Sequence, residues 1–356
     1  MKLSKFSRVA APVLMVSALV LSGCAATSDP AATTPATSDT AMADGSATPG
    51  AIVLSNSYIG NAWRQTMVDN ANLSADEGIA SGDIVDFSVV NSNNDVAEQI
   101  SQMNTLILQQ PKVILILAAS PTALNGVIQT ACDAGIKVLA FDATVTAECA
   151  YNLAPDWVSF GEEMMTTLAA QMNGEGNIIL VRGVDGTDVD LGMTEGWKNV
   201  LAANPGINVV GEVSGNWDDA TTQTAVGGLL ATAPQVDGVM SYVSAYGAVQ
   251  AFIAADRPIP YLYGSNQGTF VKWWASEKMA TGFDTESAME GPAISQAAFW
   301  IGVNLANGME YDKKLIYPNF KITADNLDAL AASTASDAFA DQVWTKESVN
   351  AQWPAK

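Results

Sequence analysis

The stretch VILILAASPTALNGVIQTACDAGIKVLAFD, residues 113–142, decides the fold. Val113–Leu117 is an unbroken run of large apolar residues, the composition of a strand buried on both faces. Ser120 reads as the cap of a helix whose first residue is Pro121, and Gly135 closes it. Lys137–Phe141 (KVLAF) is a second apolar strand, and Asp142 follows it directly. Short apolar strands alternating with helices imply a parallel sheet covered on both faces.

The same rhythm extends outward on both sides. Upstream, Ala51–Ser55 (AIVLS) and Ile84–Val90 (IVDFSVV) read as strands and 61–79 as a helix. In 94–109, Val96, Ile100, Met103 and Ile107 recur at spacings of four, three and four, which marks one helix face. Downstream, helices 161–172, 191–203, 219–231 and 245–255 alternate with strands 177–181, 207–213, 238–243 and 260–264. Two consecutive α/β units of similar size predict two lobes, and a chain of this length exceeds the usual single core. The segment Asn152–Trp157, with Pro155, is the expected first crossover. No short-period repeat is visible.

The first residues carry a different signal. Lys2, Lys5 and Arg8 precede an apolar run, Val9–Leu21, that ends in Leu21-Ser22-Gly23-Cys24. A basic segment, a short apolar core and small residues before a cut describe an export signal. The run is shorter than the roughly 20 residues that span a bilayer. Its ending resembles the bacterial lipobox, in which cleavage leaves a lipidated Cys as the first residue. The expectation is a signal peptide over 1–23, with lipid on Cys24. Residues 25–49, rich in Ala, Thr, Ser, Pro and Asp, cannot bury enough apolar surface to offset their ordering entropy, so they are expected to form a flexible tether.

Charge and composition remove several functions. The formal charge is -21, and loss of the signal, with three cations and no acid, takes it to -24. So acidic a chain does not bind nucleic acid or anionic lipid through general electrostatics. Histidine is absent, which removes the commonest general base and the commonest metal ligand. Asp185, Asp188 and Asp190 have a faint calcium-like spacing but lack the remaining oxygen ligands of an EF-hand loop. No cofactor, no metal and no enzymatic reaction are expected.

In an open parallel sheet, ligands bind beyond the carboxyl ends of the strands. After the first strand come Asn56, Tyr58, Asn61, Trp63 and Arg64, which together offer stacking faces and directional donors and acceptors. Sugars and polyols need that mixture. Asp142 ends the fourth strand, where a carboxylate accepts two hydroxyls through charge-assisted bonds. Asp188 and Asp190 lie in the loop after 177–181. Trp217 follows 207–213, Ser244 ends 238–243, and Asn266 and Gln267 offer two adjacent amides after 260–264.

These residues resemble the type I periplasmic sugar-binding proteins, the group containing ribose- and galactose-binding proteins. The resemblance covers nearly all of 50–345. It is carried by SNSYIGNAWR (55–64), ACDAGIKVLAFD (131–142), TAECAYN (146–152), VRGVDGTDVDLGMTEGW (181–197), GNWDD (215–219) and YGSNQGTFVKWW (263–274). It implies two Rossmann-like lobes with parallel sheets, joined by a three-strand hinge. Further crossovers would lie near 284–288 and 316–322, a helix over 290–307 would return to lobe one, and the C-terminal helix would join lobe two. Lobe one would then be 50–153 plus 288–314, and lobe two 156–284 plus 318–345. The resemblance places Asp142 and Asn266 where the family has sugar-binding Asp residues, and Trp217 where it stacks an aromatic. It also departs from the family. The ribose-type Asp-Arg is here Asp142-Ala143, an arginine near 191–193 is replaced by Leu191 and Met193, and Asn266 replaces Asp. The expected pocket is less ionic and admits a less hydroxyl-dense ligand, such as a polyol or a deoxy sugar.

With Cys24 lipidated, Cys132 and Cys149 remain, an even pair in an exported protein, and read as a disulfide. The functional expectation is a monomeric, lipid-anchored substrate-binding protein facing the periplasm or cell exterior. It would capture a small polar solute, sugar or polyol, for an ABC permease in the membrane. Alternatives are a sensor presenting the same closed form to a membrane receptor, and a binder of another small polar solute such as a nucleoside. A carboxylate-based glycosidase would need turnover without histidine. A DNA-binding repressor would need a basic helix-turn-helix before residue 50, where the signal and tether stand.

Overall fold

The computed structural model describes residues 50–356 except 234. The export signal, Cys24 and the tether lie outside the described residues.

The first sheet is built from β1 (Ala51–Asn56), β2 (Asp86–Asn91), β3 (Val113–Leu117), β4 (Lys137–Phe141), β5 (Tyr151–Ala154) and β11 (Lys314–Ile316). All its pairings are parallel, in the order β11-β5-β4-β3-β1-β2. Both faces are covered. Ile52, Leu54, Leu115 and Leu139 join one apolar cluster with α1 (Ala62–Ser81) and α9 (Ile294–Ala306). Val53, Ile114, Ile116 and Val138 join another with α2 (Val96–Gln109) and α3 (Asn125–Asp133). Alternate residues of a strand face opposite sides, so two covered faces require continuously apolar strands such as VILIL. Every residue of α9 from Ile294 to Leu305 is buried, which makes it a core helix of this lobe.

The second sheet, β7-β6-β8-β9, uses β6 (Glu175–Arg182), β7 (Gly206–Ser214), β8 (Gly238–Ser241) and β9 (Tyr261–Leu262), again all parallel. Ile178, Leu180 and Met240 pack towards α4 (Trp157–Gln171) and α5 (Asp188–Ala203). Ile179, Val181 and Val239 pack towards α6 (Asp219–Leu230), α7 (Ala245–Ala254) and α8 (Gly268–Thr281). Helices α4 and α5 touch backbone to backbone at Gly196. A Cβ there would stand 2.2 Å from the Val158 carbonyl oxygen, so only glycine permits the approach.

Four connections join the lobes, the last of them the segment 334–345 near the C-terminus. The first runs from β5 through Pro155 to Asp156, whose carboxylate caps α4 by accepting the Ser159 N–H. The second and third are β10 (Ser287–Met289) and β12 (Phe320–Ile322), an antiparallel pair. The architecture is the two-lobed, parallel α/β arrangement that the residues predict.

Two local expectations fail. Ser120 does accept the Ala123 N–H, but Pro121–Leu124 form separate turns, with Asn125 N–H bonded to Thr122 O, and α3 starts only at Asn125. The C-terminal region also divides. α10 (Leu327–Ser333) packs on α8 in lobe two, whereas α11 (Lys346–Gln352) packs on α9 of lobe one. Trp344 draws the chain back: its N–H donates to Gln296 Oε1 and its indole to the Tyr317 hydroxyl, while Lys346 pairs with Asp83 at 2.7 Å.

Candidate functional site

In both sheets the strand order reverses beside the first strand, β1 in one and β6 in the other. The carboxyl ends of these strands face a narrow cavity lined by Asn61, Trp63, Arg64, Asp142, Val189, Trp217, Tyr242, Val243 and Glu290. Lobe one contributes the first four, lobe two the next four, and Glu290 follows crossover strand β10.

The α1 end of the site is built from its cap. Asn61 Oδ1 accepts the Arg64 N–H at 2.9 Å, which starts the helix and orients its first turn. Trp63 Nε1 then donates to the Glu290 carbonyl at 3.3 Å, and the Arg64 guanidinium lies 5.3 Å from the Trp63 ring. Arg64 Nη2 pairs with Asp142 Oδ2 at 2.9 Å, and both side chains are almost wholly buried, at 4% and 8% exposure. Burial pushes the Asp142 carboxyl up, while the Arg64 charge and the Ala143 N–H pull it down. Asn56 does not reach the cavity. Its Nδ2 donates to Tyr58 O and Asn91 Oδ1, and its Oδ1 accepts from Arg64 Nη1 at 3.4 Å, so it steers the guanidinium.

Asp142, Trp217 and Val243 all have positive φ, at 56°, 55° and 67°. Asp tolerates this region, but a β-branched Val there is an outlier that costs on the order of 1–3 kcal/mol. Asp142 is held in place by its own N–H to Leu153 O and by Trp157 Nε1 on its carbonyl. Strain at three cavity residues is what a fold carries where side chains must be aimed rather than packed.

Glu290 is the least expected component. It is 1% exposed, and its Oε1 has no hydrogen-bond partner. Its carbonyl accepts from Trp63 Nε1 of lobe one and from the Tyr242 hydroxyl of lobe two, at 3.5 Å. Burial pushes its carboxyl well above the usual carboxylate range. Asp142 and Asp341 push it further, and Arg64 opposes them.

Of the twelve residues singled out from sequence, the fold brings Asn61, Trp63, Arg64, Asp142 and Trp217 to the cavity. Others are spent elsewhere. Asp190 accepts from Arg182 Nε and Nη2 and from the Gly183 N–H, a buried ion pair that fixes the loop after β6. Asp188 accepts the Thr144 N–H and hydroxyl, tying lobe two to lobe one beside the cavity. Ser244 sits in a hydroxyl cluster with Thr222 and Ser241. Asn266 is fully buried, with its amide donated to Phe320 O and Ala340 O and its oxygen bonded to Ser287. Gln267 caps α8, and Tyr58 folds its hydroxyl over Gly60. Arg64 supplies a guanidinium to the cavity from α1, and Glu290 adds a second carboxyl.

Sequence reasoning passed over Val189, Tyr242, Val243 and Glu290. Tyr242 and Val243 lay inside the predicted strand 238–243, but β8 ends at Ser241, which turns them into strand-end residues. Glu290 could have been found by reading the residue after the second crossover as the other strand ends were read. Cys132 and Cys149 are bonded, joining the end of α3 to the loop after β4.

Comparison with known proteins agrees with this geometry. A model of the periplasmic binding protein domain matches residues 52–310. The xylitol-binding protein of Mycolicibacterium smegmatis is 29% identical over 244 residues, covering 67% of this chain and 68% of that protein. A ribose import binding protein of Haemophilus influenzae is 24% identical over 233 residues, 64% of this chain and 77% of its own. Among solved structures, an ABC transporter solute binding protein from Thermobispora bispora superposes with a TM-score of 0.81 at 38% identity, covering 85% of this chain and 94% of that one.

Proposed function

The chain belongs to the periplasmic binding protein domain family, and from that premise we propose that it captures a sugar or polyol between its lobes for an ABC importer. The cavity carries this reading. Trp63, Trp217 and Tyr242 offer aromatic faces to C–H surfaces, and Arg64, Asp142 and Glu290 offer polar groups to hydroxyls. Small-molecule sites have this make-up, apolar walls with a few placed polar groups. Lobes joined by β5–α4, β10 and β12 close on the solute by hinge motion, and the closed form is what a permease recognises. The similarity to a xylitol-binding and a ribose import binding protein supports the solute class.

A thermal-shift screen of residues 50–356 against xylitol, ribose, myo-inositol, adenosine and amino acids tests the class. A solute at a hundredfold excess over Kd adds about 2.7 kcal/mol to the folded state, which raises the melting point by several degrees. A response to a sugar or polyol is expected. Silence there with a response to adenosine or an amino acid overturns the solute class.

Membrane attachment through lipid on Cys24 is part of the same proposal. Lipid chains hold proteins to membranes through buried CH₂ groups. A Cys24→Ser variant, expressed in a bacterium, is expected to move from the membrane fraction to the soluble exported fraction. Its retention on the membrane would refute the anchor.

A further inference from the structure

Glu290 stands apart from the other polar groups of the cavity. Arg64 and Asp142 neutralise each other, and Asn61 is engaged by its helix. Glu290 alone presents a buried carboxyl oxygen with no partner. A charge buried without compensation is so costly that such a group neutralises instead. The groups around it sharpen the point. Asp142 at the end of β4 and Asp341 in the segment before α11 are like charges, and Arg64 on α1 is already paired with Asp142. Tyr242 after β8 and Tyr317 after β11 are buried phenols, held protonated above all by burial.

We propose that Glu290 meets the bound solute as a neutral carboxylic acid and donates its O–H to a ligand hydroxyl oxygen. This rests on the sugar or polyol reading above. One proton passes from solvent to the Glu290 carboxyl for each solute captured, because opening the lobes withdraws Trp217, Tyr242 and Val243 and lets water reach the carboxyl. A neutral acid at this position selects a hydroxyl and disfavours an amine, which would require the ionised form. It also supplies a donor that neither Asp142 nor a carbonyl can provide.

The sign follows from linkage. A carboxyl raised in the closed complex binds more protons there than in the open form. Affinity is therefore full at pH below the open-form value and falls as pH rises through the window up to the raised value, by as much as about tenfold per pH unit.

Isothermal titration with the strongest neutral sugar or polyol from the screen, in buffers of different ionisation enthalpy, reads this directly. Wild-type protein is expected to take up protons as it binds solute, and to bind more weakly at pH 8 than at pH 5. Glu290→Gln keeps a neutral donor, so it is expected to bind with no proton uptake and with a flat pH profile. The absence of proton uptake by wild type, with solute still bound, overturns the proposal and leaves the function standing. So does a Glu290→Gln protein that melts like wild type yet loses binding at both pH values, since that marks an ionised acceptor. Tighter binding of glucosamine than of glucose, lost in Glu290→Gln, overturns it in favour of amine recognition. If no neutral sugar or polyol binds wild type, the solute class and this inference fall together.

Discussion

Replacing Arg64 by leucine is expected to cost about 3–5 kcal/mol of folding stability and to abolish solute capture. The guanidinium is 4% exposed and stands 2.9 Å from an Asp142 carboxylate that is itself buried. Removing one member of a buried pair leaves the other charge uncompensated, which costs far more than the pair contributes as a whole. Asp142 cannot turn away to water, because its N–H is bonded to Leu153 O and Trp157 Nε1 holds its carbonyl. It takes up a proton instead. In the variant its folded-state value therefore lies still further above the unfolded one, and more protons are bound folded than unfolded. The folded state is then least penalised at low pH and loses stability as pH rises through the raised value. Denaturant melts of both proteins at several pH values should show a gap that widens from acid to neutral pH. A double variant, Arg64→Leu with Asp142→Leu, is expected to recover much of the lost stability without recovering binding, since the carboxylate that needed a partner is gone. If the single variant melts within about 1 kcal/mol of wild type at neutral pH, the pair is not the buried ionic contact described here.

How far these features could be read from residues alone depends on how local their causes are. The strands were legible because burial on both faces leaves no choice of residue. VILIL at 113–117 is apolar at every position, and each position is buried. Helix ends were legible where one side chain decides them, as at Gly135, which adopts φ 82°, and less so at Ser120, where turns intervene before α3. Asp142 was legible as a strand-end carboxylate, but its partner was not. Arg64 lies on a different element and reaches it only after β1 and β4 are placed either side of β3. Asn266 shows the opposite failure. A polar residue at a strand end looks the same whether it faces a solute or joins three backbone segments, and only the positions of Phe320 and Ala340 tell which. Glu290 was passed over because its environment is assembled from α1, β4, β8 and the tail before α11, none of them near it in sequence.

Loss of the Cys132–Cys149 bond should separate stability from function. The two residues are 17 apart in sequence, with Cα atoms 6.3 Å apart. A loop of that size, closed in the unfolded chain, stabilises the folded state by roughly 3 kcal/mol in the chain-entropy model. The double Cys132→Ala, Cys149→Ala variant is expected to melt earlier by that amount in denaturant, as is wild type under reducing conditions. Binding is expected to change less than about threefold, because the loop from Asp142 to the bridge has its own anchors. Thr144 is held by Asp188, the Val145 N–H by Asn152 Oδ1, and the Thr146 N–H by Pro121 O. These contacts belong to the folded state, whereas the entropic effect of the bridge belongs to the unfolded one. The bridge therefore raises the cost of unfolding without setting the position of the Asp142 carboxylate. A tenfold loss of affinity with little loss of stability would reverse that assignment and make the disulfide a positioning element of the solute site.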